Sequence, residues 1–284
     1  MSVEIGQRSV TCGDIRLNVA AAGDGPPVLL LHGFPDSWRL WQHQIEPLVA
    51  AGHRVIAPDL RGFGGSDRPT DVEAYRIRNL IDDVAALLAD EGVARAAVVG
   101  HDWGAGLAWQ VALRRPDLVE RLAVLSVGHH GASAASGLRQ HQLSWYMLWF
   151  LFPGVAEEVM PRQDWRFFRE WAWDGAAPGE QPDCERQIAD LSRPGALTAA
   201  LNWYRANIRP EAYVADGPYS GPRVSCPTIG IWSAGDRFLT EEQMTGSSEF
   251  VTGPWHYERV DGNHWIPTSA PEALNRLLID FLAS

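Results

Sequence analysis

The stretch "VVGHDWGAGLAW", Val98 to Trp109, decides how the chain is read. A short apolar run ends at Gly100, and an apolar segment that reads as a helix begins near Trp103. Between them the chain must turn sharply, and Gly100, Gly104 and Ala105 leave room for it. Such a turn lifts the side chain of Asp102 above the end of the strand. The first N–H groups of the following helix face the same spot and favour an anion there. Asp is also a good N-cap, so the turn by itself allows a purely structural Asp102.

Working outward, the flanking sequence alternates strand and helix signals. "IRLNVAAAG", "PVLLLHG" and "HRVIAPDL" read as strands, and Val28–Leu31 has the unbroken apolar character of a strand covered on both faces. Ile77, Ile81, Val84 and Leu88 step by four, three and four, the spacing of one helix face. "AAVVGH" is a buried strand, "WGAGLAWQVALRRP" a helix stopped by Pro116, and "RLAVLSVG" a further strand. Strands alternating with helices imply a mostly parallel sheet with helices on both faces.

After Gly128 the texture changes to bulky aromatic segments such as "SWYMLWFLF" and "DWRFFREWAW". Trp145, Trp149, Trp165, Trp171, Trp173 and Trp203 lie here, six of the chain's 13 tryptophans. Strand texture resumes at "CPTIGIWSAGD" and "WHYERVDGNHW", and a helix from Pro271 through Leu274, Leu278 and Phe281 closes the chain. The expected organisation is therefore a core of residues 1–128 and 223–284, with a helical cap of residues 129–222 inserted between. "DGPYSGPRVSCP" reads as the hinge back into the core.

Bulk properties narrow the function. With 284 residues, 46% hydrophobic and 21% charged, the chain is long enough for a large buried core. A formal net charge of −11 argues against a nucleic-acid or anionic-membrane partner. Cys12, Cys184 and Cys226 are widely spaced, form no zinc-type cluster and read as free thiols of a reducing compartment. With no basic-then-apolar leader and no stretch of about 20 apolar residues, the cytoplasm is the expected location and no membrane span is expected. No metal or other cofactor is called for, and a homodimer is compatible with the sequence.

Two further strand ends carry groups that complement Asp102. Asp236 stands in the loop after "IWSAG", and His264 follows the last strand behind Gly262 and Asn263. The chain order of Asp102, Asp236 and His264 is that of nucleophile, acid and base in hydrolases with a strand-to-helix nucleophile turn. His101 is the rival base, but its neighbour Asp102 occupies the exposed position of the turn, so His101 reads as structural. Arg237 directly after Asp236 is a departure, yet the loop has no other carboxylate before Glu241. At "LLLHGFPDSW" the N–H of Phe34 can face the site, and with the N–H of Trp103 it makes a two-donor oxyanion hole.

These motifs, "HGFP" (His32–Pro35), "DLRGFGGSD" (Asp59–Asp67), "GHDWGA" (Gly100–Ala105), Asp236 and His264, resemble the α/β-hydrolase fold and, within it, the epoxide hydrolases of the soluble type. The resemblance spans essentially the whole chain and implies a cap after the sixth strand. Where many such hydrolases carry Ser in a G-x-S-x-G turn, this chain has Asp102, which suits attack on a saturated carbon and an alkyl-enzyme ester. In the cap, "YMLWFLFPGVAE" and "LNWYRANI" look like the segments that supply two ring-opening tyrosines, implying that role for Tyr146 and Tyr204. Tyr213 and Tyr219 are the rivals. The implied substrate is a small apolar epoxide, hydrolysed with water to a vicinal diol.

The core motifs alone do not separate epoxide hydrolases from dehalogenases with the same aspartate. Phe34 stands where one haloalkane dehalogenase pattern has a halide-binding Asn. Trp103 stands where fluoroacetate dehalogenases continue with Arg. A dehalogenase is the first alternative, and a non-catalytic binding protein on the same fold is the second.

Overall fold

The computed structural model describes residues 3–213 and 219–284; the side chain of Tyr213 and the first part of the expected hinge lie outside the described residues. Eight strands form one sheet among the described residues: β1 (Gly6–Cys12), β2 (Ile15–Ala22), β3 (Pro27–Leu31), β4 (Arg54–Pro58), β5 (Ala96–His101), β6 (Val119–Leu125), β7 (Thr228–Gly235) and β8 (Trp255–Asn263). Their order across the sheet is β1-β2-β4-β3-β5-β6-β7-β8. β2 runs antiparallel to both β1 and β4, and all the other neighbours are parallel. One consequence governs the chemistry: the carboxyl ends of β3, β5, β7 and β8 all open on the same edge of the sheet.

Every residue of β5 is buried, as are Val28–Leu31 of β3, so both faces of the central sheet are covered. Helices α1 (Gln42–Ala50), α2 (Ile77–Asp90) and α3 (Trp103–Arg114) do part of this covering. α1 packs against the C-terminal helix Pro271–Ala283, and α2 packs against α3. Ile81, Val84 and Leu88 of the expected helix face are buried, with Ile77 partly so. β1 has little hydrophobic signal of its own. Only Val10 and Cys12 point inward, and β1 is held by its full register on β2 across a turn whose Gly13 sits at φ +60.

Between β6 and β7 the described residues form helices at His130–Ala135, Gly137–Leu143, Trp145–Phe150, Val155–Val159, Arg162–Ala172, Pro182–Leu191 and Ala196–Asn207. Named contacts fasten this segment to the elements around the sheet. Trp203 Nε1 donates to the carbonyl of Arg61 at 2.8 Å, and Asn207 Nδ2 to that of Tyr75 at 2.9 Å. Trp173 stacks on Trp265 with ring centroids 4.3 Å apart. The buried Asp36 carboxylate pairs with Arg186 at 2.5 Å and accepts from Gln187 Nε2 at 2.8 Å. All three cysteines are unbridged. Among the described residues no helix is long and apolar enough to cross a membrane.

Candidate active site

Asp102 sits between β5 and α3 with φ 52 and ψ −123, a conformation that L-residues seldom adopt. The close passage of β3 makes the turn sterically demanding. A Cβ on Gly104 would lie 2.0 Å from the carbonyl oxygen of Leu31, and one on Gly33 2.4 Å from the side chain of Asp102. The glycines seen in the sequence are thus fixed by backbone approach. Asp102 is held in its strained backbone by this packing, not by capping: its side chain makes no cap hydrogen bond to α3.

What the carboxylate does contact is the β3 loop. The Phe34 N–H donates to Asp102 Oδ1 at 2.8 Å. Trp103 is the first residue of α3, so its N–H is among those with no intrahelical acceptor. The other oxygen, Oδ2, faces His264, whose Nε2 lies 3.7 Å away. On the far side of the ring, His264 Nδ1 is 2.9 Å from Asp236 Oδ2. Asp236 Oδ1 in turn accepts from the N–H groups of Phe238 and Leu239 at 2.9 and 3.0 Å, and its side chain is fully buried. The structure therefore brings Asp102, His264 and Asp236 from three strand ends into one line.

Burial disfavours a charged imidazole, but the charges of Asp236 and Asp102 outweigh it and push His264 up to about 10. Burial likewise acts to raise Asp236, yet the imidazolium and the two N–H donors hold it below the usual carboxylate range. The surroundings thus favour the charged form of the imidazole. His101 behaves in the opposite way. Its Nε2–H donates to the His264 carbonyl at 2.8 Å, and burial pushes it down to about 4, so it stays neutral beneath the His264 ring.

Tyr146, on the helix Trp145–Phe150, and Tyr204, on the helix Ala196–Asn207, are both buried, with ring centroids 6.3 Å apart. Tyr204 packs edge-on against Trp103 and Phe34, at 5.1 and 5.5 Å. Both tyrosines, with Asp102, line a cavity of about 350 Å³ whose wall includes Trp109, Val127, Met147 and Leu239. A second space of about 10 Å³ lies between Asp102, His264, Phe34, Tyr146 and Tyr204. Tyr219 lies elsewhere, packed against His129 and His130, and bonded to the Pro222 carbonyl.

Two participants have no counterpart in the sequence reading. Gln140 reaches the loop that carries Asp236, and Asp36 joins the β3 loop to Arg186 and Gln187. Both act through residues about 100 or more positions away, a distance at which pattern and spacing carry no signal.

A fold with this sheet order and a side chain raised at the β5 turn is that of the α/β hydrolases. The family model described as alpha/beta hydrolase fold matches residues 26–267, and the chain belongs to that family. It is 37% identical over 281 residues to the AB hydrolase superfamily protein YfhM of Bacillus subtilis, covering 96% of each chain. It is 33% identical over 313 residues to epoxide hydrolase A of Mycobacterium tuberculosis, covering 97% of each. The crystal structure of epoxide hydrolase A from Mycobacterium thermoresistibile superposes with a TM-score of 0.83 at 32% identity, over 99% of both chains.

Proposed function

We propose that the protein is a cofactor-independent epoxide hydrolase that converts an apolar epoxide and water to a vicinal diol. The observation that carries this reading is the placing of Tyr146 and Tyr204 on the same cavity as Asp102. A phenol is neutral at pH 7 and can donate to the alkoxide that forms as an epoxide ring opens. Relatives named epoxide hydrolases, similar over nearly the whole chain, support the same substrate class.

In the first step Asp102 Oδ2 attacks one epoxide carbon, the C–O bond to that carbon breaks, and Tyr146 and Tyr204 stabilise and protonate the released oxygen. The product is an ester joining Asp102 to the substrate. The ester is neutral, so His264 loses one of the two carboxylates that favour its charged form, while burial continues to disfavour that form. The imidazole then sheds its proton to the phenolate left by ring opening and becomes a base. Water activated by His264, oriented by Asp236, adds to Cγ of Asp102, and the N–H groups of Phe34 and Trp103 receive the oxyanion. Collapse releases the diol and restores the carboxylate. The space of about 10 Å³ beside His264 is on the order of one water molecule.

Residues 129–222 act in this scheme as a cap that supplies both tyrosines and, through Met147, part of the apolar wall, the rest of which comes from the core. Trp103, Trp109, Val127, Met147 and Leu239 favour a largely apolar substrate. The test is a panel of styrene-type, aliphatic and trans-disubstituted epoxides beside haloalkanes, scored for diol and halide. Diol without halide is expected, and the reverse would assign a dehalogenase. The variant Asp102→Asn should retain ligand binding and lose turnover.

A further inference from the structure

The amide of Gln140 is buried, 5% exposed, on the helix Gly137–Leu143. It uses all of its principal hydrogen-bonding capacity. Nε2 donates to the carbonyl of Phe238 and to Ser144 Oγ, each at 2.9 Å, and Oε1 accepts from the N–H of Thr240 at 2.9 Å. The orientation of the amide is dictated by these partners. Flipped, it would set oxygen against the Phe238 carbonyl and N–H against the Thr240 N–H.

The residues it grips are the ones that orient Asp236. Phe238 and Leu239 give their N–H groups to Asp236 Oδ1. The Phe238 ring lies edge-on to His264 at 4.9 Å and to Tyr146 at 5.7 Å. Gln140 thus holds the loop on both sides of Leu239, and through Ser144 it ties the loop to the turn just before Tyr146.

We propose that Gln140 is a positioning residue for the hydrolytic step: its amide fixes the loop from Asp236 to Thr240 and, through that loop, the carboxylate that orients His264. The inference rests on the reading of Asp236 and His264 given under Proposed function. It divides the two half-reactions. Attack by Asp102 meets the loop only indirectly, through the packing of Phe238 and Ser144 near Tyr146, whereas activation of water depends on the Asp236 that the loop carries.

The test uses Gln140→Met, which keeps length and loses every hydrogen bond, and Gln140→Glu, which keeps the acceptor for Thr240 and lacks a donor for the Phe238 carbonyl. In the substrate-free protein, the downfield proton resonance of His264 Nδ1–H is followed by NMR as pH is varied. The groups facing this ring are Asp102, Asp236 and the neutral His101. In either variant the resonance should move upfield or broaden, and in Gln140→Met, which adds no charge, His264 should titrate at lower pH than in the parent. With a styrene-type epoxide, ester hydrolysis should slow about 10-fold or more, well beyond any change in alkylation, and the adduct should accumulate. An unchanged resonance and titration in a folded variant would overturn the proposal. So would an equal loss in both steps, which marks a general disturbance of the fold. Should Gln140→Met not fold, Gln140→Glu carries the comparison. A parent that forms neither adduct nor diol strikes at the epoxide reading, and the NMR arm still decides whether Gln140 governs the Asp236–His264 pair.

Discussion

Nε2 of His264 stands 3.7 Å from Oδ2 of Asp102, facing the carboxylate beyond hydrogen-bond reach. In the proposed reaction the base therefore sits behind the attacking oxygen and does not hold it in a hydrogen bond. Replacing His264 by Gln should leave the first step intact and stop the second. Incubation with a substrate epoxide should then give a stable mass increase on Asp102, read by intact-protein and peptide mass spectrometry. Absence of an adduct with every epoxide of the panel would rule out the covalent route.

Tyr146 and Tyr204 meet across the cavity from different helices, and each packs against aromatic side chains that stay in place if only the hydroxyl is removed. Changing both to Phe should leave thermal stability close to that of the parent and lower the alkylation rate by roughly 10²-fold or more. Either single change should be milder, since one phenol remains. Unchanged alkylation in the double variant would remove the two tyrosines from the mechanism.

The charged state of His264 also predicts a pH dependence of stability. Its folded value is raised from 6.5 to about 10. The folded chain thus binds this proton more tightly than the unfolded chain. The resulting stabilisation is fully present below about pH 6.5 and is lost as pH rises through about 10. The chain has no lysine, so no lysine ammonium titrates in this window. Burial also raises the thiols of Cys12 and Cys184 to about 11, and these add an alkaline loss common to parent and variant. The melting temperature of the parent should therefore fall more steeply between neutral and alkaline pH than that of His264→Gln. Parallel curves would contradict the assignment.

The Asp36–Arg186 pair predicts a second kind of stability effect. Asp36 is 1% exposed, so Arg186→Met leaves a carboxylate buried with only Gln187 and the Ser37 N–H as partners. Loss of about 3 kcal/mol is expected from denaturant unfolding. The double change Asp36→Asn with Arg186→Met should cost less than the sum of the single changes, because it removes the unpaired charge. Additive costs would show that the two side chains are not coupled.

How much of this was legible in the sequence follows from distance along the chain. The turn at Asp102 declares itself because strand, glycines and helix are consecutive; the strand ends at Gly33 and Asp236 are each marked by an apolar run that stops, and His264 by the Gly262–Asn263 pair before it. The parallel sheet then gathers these ends without further information. β1 is barely legible because only Val10 and Cys12 of its seven residues are buried. The bonds of Gln140 to Phe238 and Thr240, and of Asp36 to Arg186, are not legible at all. They join the helical segment to core loops, and nothing local distinguishes these polar residues from others on a solvated face.

The single N–H of Phe34 on Oδ1 makes the two oxygens of Asp102 unequal before any substrate arrives. Oxygen held by an amide is poised to become the oxyanion, and the unheld one leaves with the product. In the proposed reaction each diol therefore inherits an oxygen from the protein, and the carboxylate is refilled from water. A single turnover in ¹⁸O-water should yield unlabelled diol and a heavier Asp102, with the isotope reaching the product only from later cycles.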